Sequence, residues 1–212
     1  KLGKAEQKEL LIARIDVLKA KVYEIREESK PFRRKARYAD LLVDGLSDEF
    51  GCIANYRPDW EARWADPSRK KVLLFATKDY SGSFYKWAQA INRHTEFAAR
   101  LVVLMPHPFK YPLDLVSGAL VSGEWGGLKQ LFRQADLLHI KDETGFYKEL
   151  NGLPPDLLEA VRDGVPRIYT AYGGAIRQAW ADRQFKKHVE SFDDCIAMTP
   201  DLNFEGLGAR FI

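Results

Sequence analysis

The chain predicts an α/β fold: a Rossmann-like parallel sheet flanked by helices, entered from a long N-terminal helix. Three observations carry this expectation. Val72-Leu73-Leu74-Phe75-Ala76 is an unbroken apolar run, as expected for a strand buried on both faces. It leads into the turn Ser81-Gly82-Ser83 and then a helical stretch to Ile91. The same rhythm of apolar run, turn and helix repeats to the end of the chain, which favours parallel strands joined by crossover helices.

The 212 residues are 46% hydrophobic and 30% charged, an ordinary globular composition, and the net charge is +3. This balance does not imply a nucleic-acid binder, which would concentrate basic residues on one face. The short run Arg33-Arg34-Lys35 reads as a solvated face. No apolar run approaches the ~18 residues of a transmembrane helix. Cys52 and Cys195 match no metal or redox spacing and read as free thiols in a reducing compartment.

Residues 1–30 are expected to be helical. Within 4–29, Leu11, Ile15, Leu18, Val22 and Ile25 follow the alternating four- and three-residue spacing of a heptad stripe. The stripe either packs on the parent domain or ends a longer coiled coil that makes a homo-oligomer. The chain opens at Lys1 inside helical sequence, which suggests a piece of something longer. Pro31 stops the helix. Residues 31–69 are expected to form an aromatic-rich connector, with a short helix over 36–47 and Trp60 and Trp64 covering the sheet's flank.

The sheet domain is expected over 70–212. After the helix ending at Ile91, the segment 99–105 is a second strand, stopped by Pro106. A long loop spans 107–127, with a helical turn expected around Leu113 to Leu120; loops of this length are often functional. A helix over 128–134 leads to the third strand, 136–141. Pro154 to Asp163 reads as a helix with Gly164 as its stop. A fourth strand over 165–171 runs into Tyr172-Gly173-Gly174, a helix over 178–189 follows, and 195–198 and 209–212 complete the strands.

In open α/β sheets, ligands gather at the carboxyl ends of the strands. Two glycine turns fall there. Ser81, Gly82 and Ser83 form the first, with Ser a favoured helix cap and the helix terminus attractive to anions. Tyr172, Gly173 and Gly174 form the second. Asp79 is placed where a catalytic carboxylate would be useful, and Lys141 stands at the end of its own strand. His139, inside a strand, reads as a satisfied core histidine. No G-x-G-x-x-G, P-loop or G-x-S-x-G motif is present, and no histidine pair has metal-ligand spacing.

Four segments in order resemble the N-terminal half of a GT-B glycosyltransferase. They are the strand, turn and helix from Val72 to Ile91; Ala135-Asp136-Leu137-Leu138-His139-Ile140; Val165-Pro166-Arg167-Ile168-Tyr169-Thr170-Ala171-Tyr172-Gly173-Gly174-Ala175-Ile176-Arg177; and Cys195-Ile196-Ala197-Met198-Thr199-Pro200-Asp201-Leu202. The resemblance implies an acceptor-side domain facing a second, donor-binding domain that this chain does not contain. It implies transfer of a sugar from a nucleotide sugar to a glycan or other acceptor, as in polysaccharide biosynthesis, without a metal and with no further cofactor. The setting would be cytoplasmic, or peripheral at the inner face of a membrane, and this half alone would be inactive.

On the same resemblance, Ser81, Gly82, Ser83, Tyr172, Gly173 and Gly174 line the cleft and Asp79 is the base. The chain departs from the family pattern at Tyr172, where a His is usual, and at Ala175, where an Asp is usual. A catalytically silent Rossmann-like scaffold, oligomerised by its N-terminal helix, is the alternative reading. A sugar-nucleotide epimerase or reductase is disfavoured by the missing dinucleotide fingerprint.

Overall fold

The computed structural model describes residues 46–47, 52–54, 58–107, 109, 111–117, 119, 124–141, 155–171, 183–197 and 210–211. The heptad stripe over 4–29, the second glycine turn at Tyr172, Gly173 and Gly174, and Ala175 lie outside these residues.

Strands β1 (Leu46–Ser47) and β2 (Cys52–Ala54) precede helix α1 (Pro58–Ala65). Strand β3 (Lys71–Ala76), a 3-10 turn (Tyr80–Gly82), helix α2 (Ser83–His94) and strand β4 (Ala98–Val103) follow. Then come β5 (Leu115–Ser117), α3 (Gly126–Gln134) and β6 (Leu137–Lys141). A 3-10 segment (Pro155–Ala160), β7 (Arg167–Ala171), α4 (Arg183–Glu190), β8 (Asp194–Ala197) and β9 (Arg210–Phe211) complete the described elements.

These strands form one sheet in the order β1-β2-β5-β4-β3-β6-β7-β8-β9. From β5 to β9 every neighbouring pair is parallel, while β1 and β2 add an antiparallel edge. The chain leaves β3 for β4 on one side and returns with β6 on the other. That reversal beside β3 is the topological switch of a doubly wound sheet, and it opens a crevice at the carboxyl ends of β3 and β6. The expected α/β, Rossmann-like arrangement is therefore present.

The apolar runs make these strands because each residue finds a core on its own face. Leu73 and Phe75 enter a cluster with Leu128, Leu131 and Phe132 of α3. Val72, Leu74 and Ala76 enter another with Phe84, Tyr85 and Ala88 of α2. Each large side chain sealed in this way contributes about 1.5–3 kcal/mol. Trp64 reaches the first cluster and Trp60 the second, so α1 covers the sheet's flank as expected of its aromatics.

Three local expectations are sharpened or corrected. The region around Leu113 to Leu120 holds a parallel strand, β5, at Leu115–Ser117, and is helical at Ala119. The helix expected from Pro154 to Asp163 is a 3-10 helix over Pro155–Ala160. Leu46 and Ser47, placed in a short helix over 36–47, pair with β2, so the sheet takes in residues upstream of Lys70.

Backbone groups at the sheet's ragged edges are answered by side chains. Strand β5 pairs with β4 only at Val102 and Val103. Below that point Asn92 stands in for a neighbouring strand, donating to the Ala99 carbonyl at 2.8 Å and accepting the Ala99 amide at 2.9 Å. Asp114 accepts the Leu101 amide at 2.9 Å and the Arg100 Nε at 2.8 Å. Unsatisfied amides here would each cost about 1–3 kcal/mol.

Candidate functional site

The first turn at the switch is built differently from a phosphate-binding loop. Helix α2 begins after two successive left-handed residues, Ser81 and Gly82, both at φ 65°. That path swings the chain so that Asp79, not Ser81 or Ser83, meets the helix terminus. Asp79 accepts the Phe84 amide on Oδ1 at 3.1 Å and the Tyr85 amide on Oδ2 at 2.9 Å. A carboxylate thus occupies the place where the amides and dipole of a helix terminus would attract a ligand's anion.

Lys141, from the end of β6, closes the arrangement. Its Nζ donates to Asp79 Oδ1 at 3.0 Å, to the Tyr80 carbonyl at 2.6 Å and to Ser83 Oγ at 2.6 Å. The same ammonium lies 5.4 Å from the centre of the Phe84 ring. Asp79 and Lys141 are each only 1% exposed. A buried charge of this kind is tolerated when paired and hydrogen-bonded, and removal of one partner is costly.

Behind the pair, His139 bonds Thr170 Oγ1 at 2.6 Å through Nε2 and stacks on Trp87. Burial, and secondarily the charge of Lys141, pull its pKa down to about 3. It is the core histidine expected from the sequence. Cys195 is a buried free thiol, and burial pushes its pKa up to about 12, which rules out a ready thiolate nucleophile.

No protein family matches the chain, and no curated protein or solved structure is significantly similar to it. The site must speak for itself.

Beside the turn lies a cleft of about 460 Å³ lined by Ser81, Gly82, Tyr85, Lys86, Gln89, Tyr111 and Pro112. One wall is the turn and the first two turns of α2; the other is the loop between β4 and β5. Gly82 suits this wall through its backbone, which takes a positive φ that L side chains rarely adopt; a Cβ there would stand in ordinary contact with Tyr111, 3.6 Å from its Cβ. Tyr111 belongs to a ring cluster with His107 at 4.9 Å and Phe109 at 6.1 Å, while Tyr80 meets His107 at 5.3 Å. Phe109 is 75% exposed.

Of the expected site residues, Ser81 and Gly82 do line a cleft. Ser83 turns its hydroxyl to Lys141 instead. Asp79 is corrected from base to helix anchor: it is sealed from solvent, with its oxygens taken by amides and an ammonium. Tyr111, Lys86 and Gln89 were not anticipated, although the long loop carrying Tyr111 was marked by its length alone. Among the described residues no cluster of His, Cys, Asp or Glu could hold a metal ion. Nor is any described helix long and apolar enough to cross a membrane.

A second hollow, of about 490 Å³, opens at the amino ends of the strands between Lys70, Asp136 and Arg162. The charges of Asp136 and Arg162 are spent on structure. Asp136 accepts the Lys71 amide at 2.9 Å and an Arg162 N–H at 2.8 Å. Burial works against its ionised form, but these two bonds, with the charges of Lys70 and Arg162, together hold the carboxyl below the usual range. Asp193 repeats the device on the Arg167 amide at 2.7 Å. The carboxyl-end cleft is the better candidate, because ligands of doubly wound sheets gather at that end.

Proposed function

We propose that this domain forms the acceptor side of a GT-B-like glycosyltransferase, its cleft receiving a glycan or other sugar acceptor rather than a nucleotide. The observation that supports this reading best is the self-capped turn. With Asp79 on the Phe84 and Tyr85 amides, those two donors are already taken by a carboxylate and are not offered to a diphosphate, yet an open polar and aromatic cleft lies beside them. A nucleotide sugar would be held mainly by a second domain. Transfer with inversion also needs a base to take the acceptor proton. The burial of Asp79 means that base comes from elsewhere than the first turn.

The same burial favours one alternative, a catalytically silent Rossmann-like module that binds a partner without turnover. The two readings part in an assay of the longest natural form of the protein with a panel of nucleotide sugars and oligosaccharide acceptors. Sugar transfer that falls at least tenfold in Tyr111→Ala supports the transferase. Saturable oligosaccharide binding without transfer supports the silent module. Nucleotide binding abolished by Ser83→Ala overturns both, because it places the phosphate at the first turn.

A further inference from the structure

We propose that the cleft beside the first turn takes an acidic sugar residue within an oligosaccharide, with the ring on Tyr111 and the carboxylate on Lys86. The inference rests on the acceptor-side reading and narrows it to a substrate class.

A pyranose ring presents an apolar C–H face and a rim of hydroxyls. The cleft offers both complements: the ring of Tyr111, and the hydroxyl of Ser81 with the amide of Gln89. The rings of Tyr111 and Phe109 lie 6.1 Å apart, and Phe109 stands 75% exposed. Phe109 lies outside the cleft lining and meets Tyr111 edge to face, so it offers a second apolar surface for a neighbouring sugar of an oligosaccharide.

Charge selects among sugars. Lys86 is exposed, and no carboxylate is among the described residues lining the cleft. The two nearest buried ammonium and carboxylate groups, Lys141 and Asp79, cancel one another inside the turn. Among the described lining residues, Lys86 therefore supplies the one charge, suited to one carboxylate. A nucleotide also stacks on aromatic rings, but its phosphates would seek helix amides that Asp79 already holds.

The test is calorimetric titration of the full chain with four probes: a hexuronate-containing tetrasaccharide, its carboxyl-reduced neutral counterpart, free hexuronic acid and a mononucleotide. The acidic tetrasaccharide should bind about tenfold more tightly than the neutral one, the scale of one charge-assisted hydrogen bond. Free hexuronic acid should bind more weakly than either tetrasaccharide. Lys86→Gln should erase the acidic preference, so that the acidic and neutral tetrasaccharides bind with similar affinity. Tyr111→Ala should abolish both, while Tyr111→Phe, which keeps the ring, should retain both and so guards against simple misfolding. Equal binding of the acidic and neutral probes, no binding of either, no change in Lys86→Gln, or preferential binding of the mononucleotide would each overturn the assignment. Acidic binding in a full-length protein that transfers no sugar removes the transferase reading and leaves this site standing. Transfer to an acidic acceptor that Lys86→Gln does not slow removes this site and leaves the transferase reading.

Discussion

Asp79 with Lys141 and Asp114 with Arg100 are both buried ion pairs, and each anchors one wall of the same cleft. Asp79 fixes the turn that carries Ser81 and Gly82. Asp114, three residues after Tyr111, ties the opposite loop to β4. In both, the carboxylate replaces a missing backbone partner: a preceding helical turn for α2, a neighbouring strand for β4. They differ in the cation. Lys141 places its donors on Asp79, the Tyr80 carbonyl and Ser83, so it clamps the turn on which it acts. Arg100 meets Asp114 through Nε, on the oxygen that already holds the Leu101 amide. A carboxylate can thus serve as backbone, and its counter-ion decides how much of the surrounding loop becomes rigid.

The largest expected effects come from breaking either pair. Lys141→Met leaves Asp79 buried without its cation and should cost about 3–5 kcal/mol in chemical denaturation, as should Arg100→Met. The distinguishing readout is hydrogen exchange. Lys141→Met should expose the Phe84 and Tyr85 amides, whereas Arg100→Met should expose Leu101 and leave those two protected. Loss of protection at both places in either variant would mean that the walls are not held independently.

Acid should destabilise the fold through His139 and His188. The pKa of His139 is lowered to about 3 by burial and then by Lys141, and that of His188 to about 4 by burial, against an unperturbed 6.5. Between these values the unfolded chain binds more protons than the folded one. Stability is therefore complete above about pH 6.5 and falls as the pH drops toward the folded values. The slope is about 1.4 kcal/mol per pH unit for each histidine. His139→Gln should flatten the stability profile over this range, and an unchanged slope would mean that His139 is not kept neutral.

The smallest effects concern the left-handed pair. Gly82→Val forces a β-branched residue to positive φ and should cost at least about 1–2 kcal/mol. The sequence alone suggests the cleft would close with the fold untouched; the positive φ of Gly82 adds destabilisation. Ser81→Asn, which suits this conformation better, should gain a few tenths of a kcal/mol in thermal unfolding. A loss would show that the serine hydroxyl, bonded to the Tyr80 carbonyl, matters more than the backbone strain.

The sheet was legible because β3 is buried on both faces and leaves a continuous apolar run, and because β4 and β6 are mostly apolar, interrupted by Arg100 and by His139. Strand β5 escaped because three residues, Leu115 to Ser117, are too few to display a period. The loop at Ser81-Gly82-Ser83 was legible as a place, but not as a device. A capping side chain ordinarily bonds amides two or three positions ahead. Asp79 reaches five and six ahead, which only the turn through two left-handed residues permits. Lys141 looked like a strand-end charge at the crevice, and nothing in its neighbours marks it as turned inward. Tyr111 meets Gly82 from a distant loop, a pairing no local pattern encodes.

The most direct test of this account follows the backbone amides of Phe84 and Tyr85 by NMR during titration with a nucleoside diphosphate and, separately, with an acidic oligosaccharide. The predicted result is that these amides stay bonded to Asp79 throughout, while resonances of Lys86 and Tyr111 move only with the oligosaccharide. If the nucleoside diphosphate shifts Phe84 and Tyr85 saturably, a phosphate has displaced Asp79 from the helix terminus, and the acceptor-side assignment of this cleft is wrong.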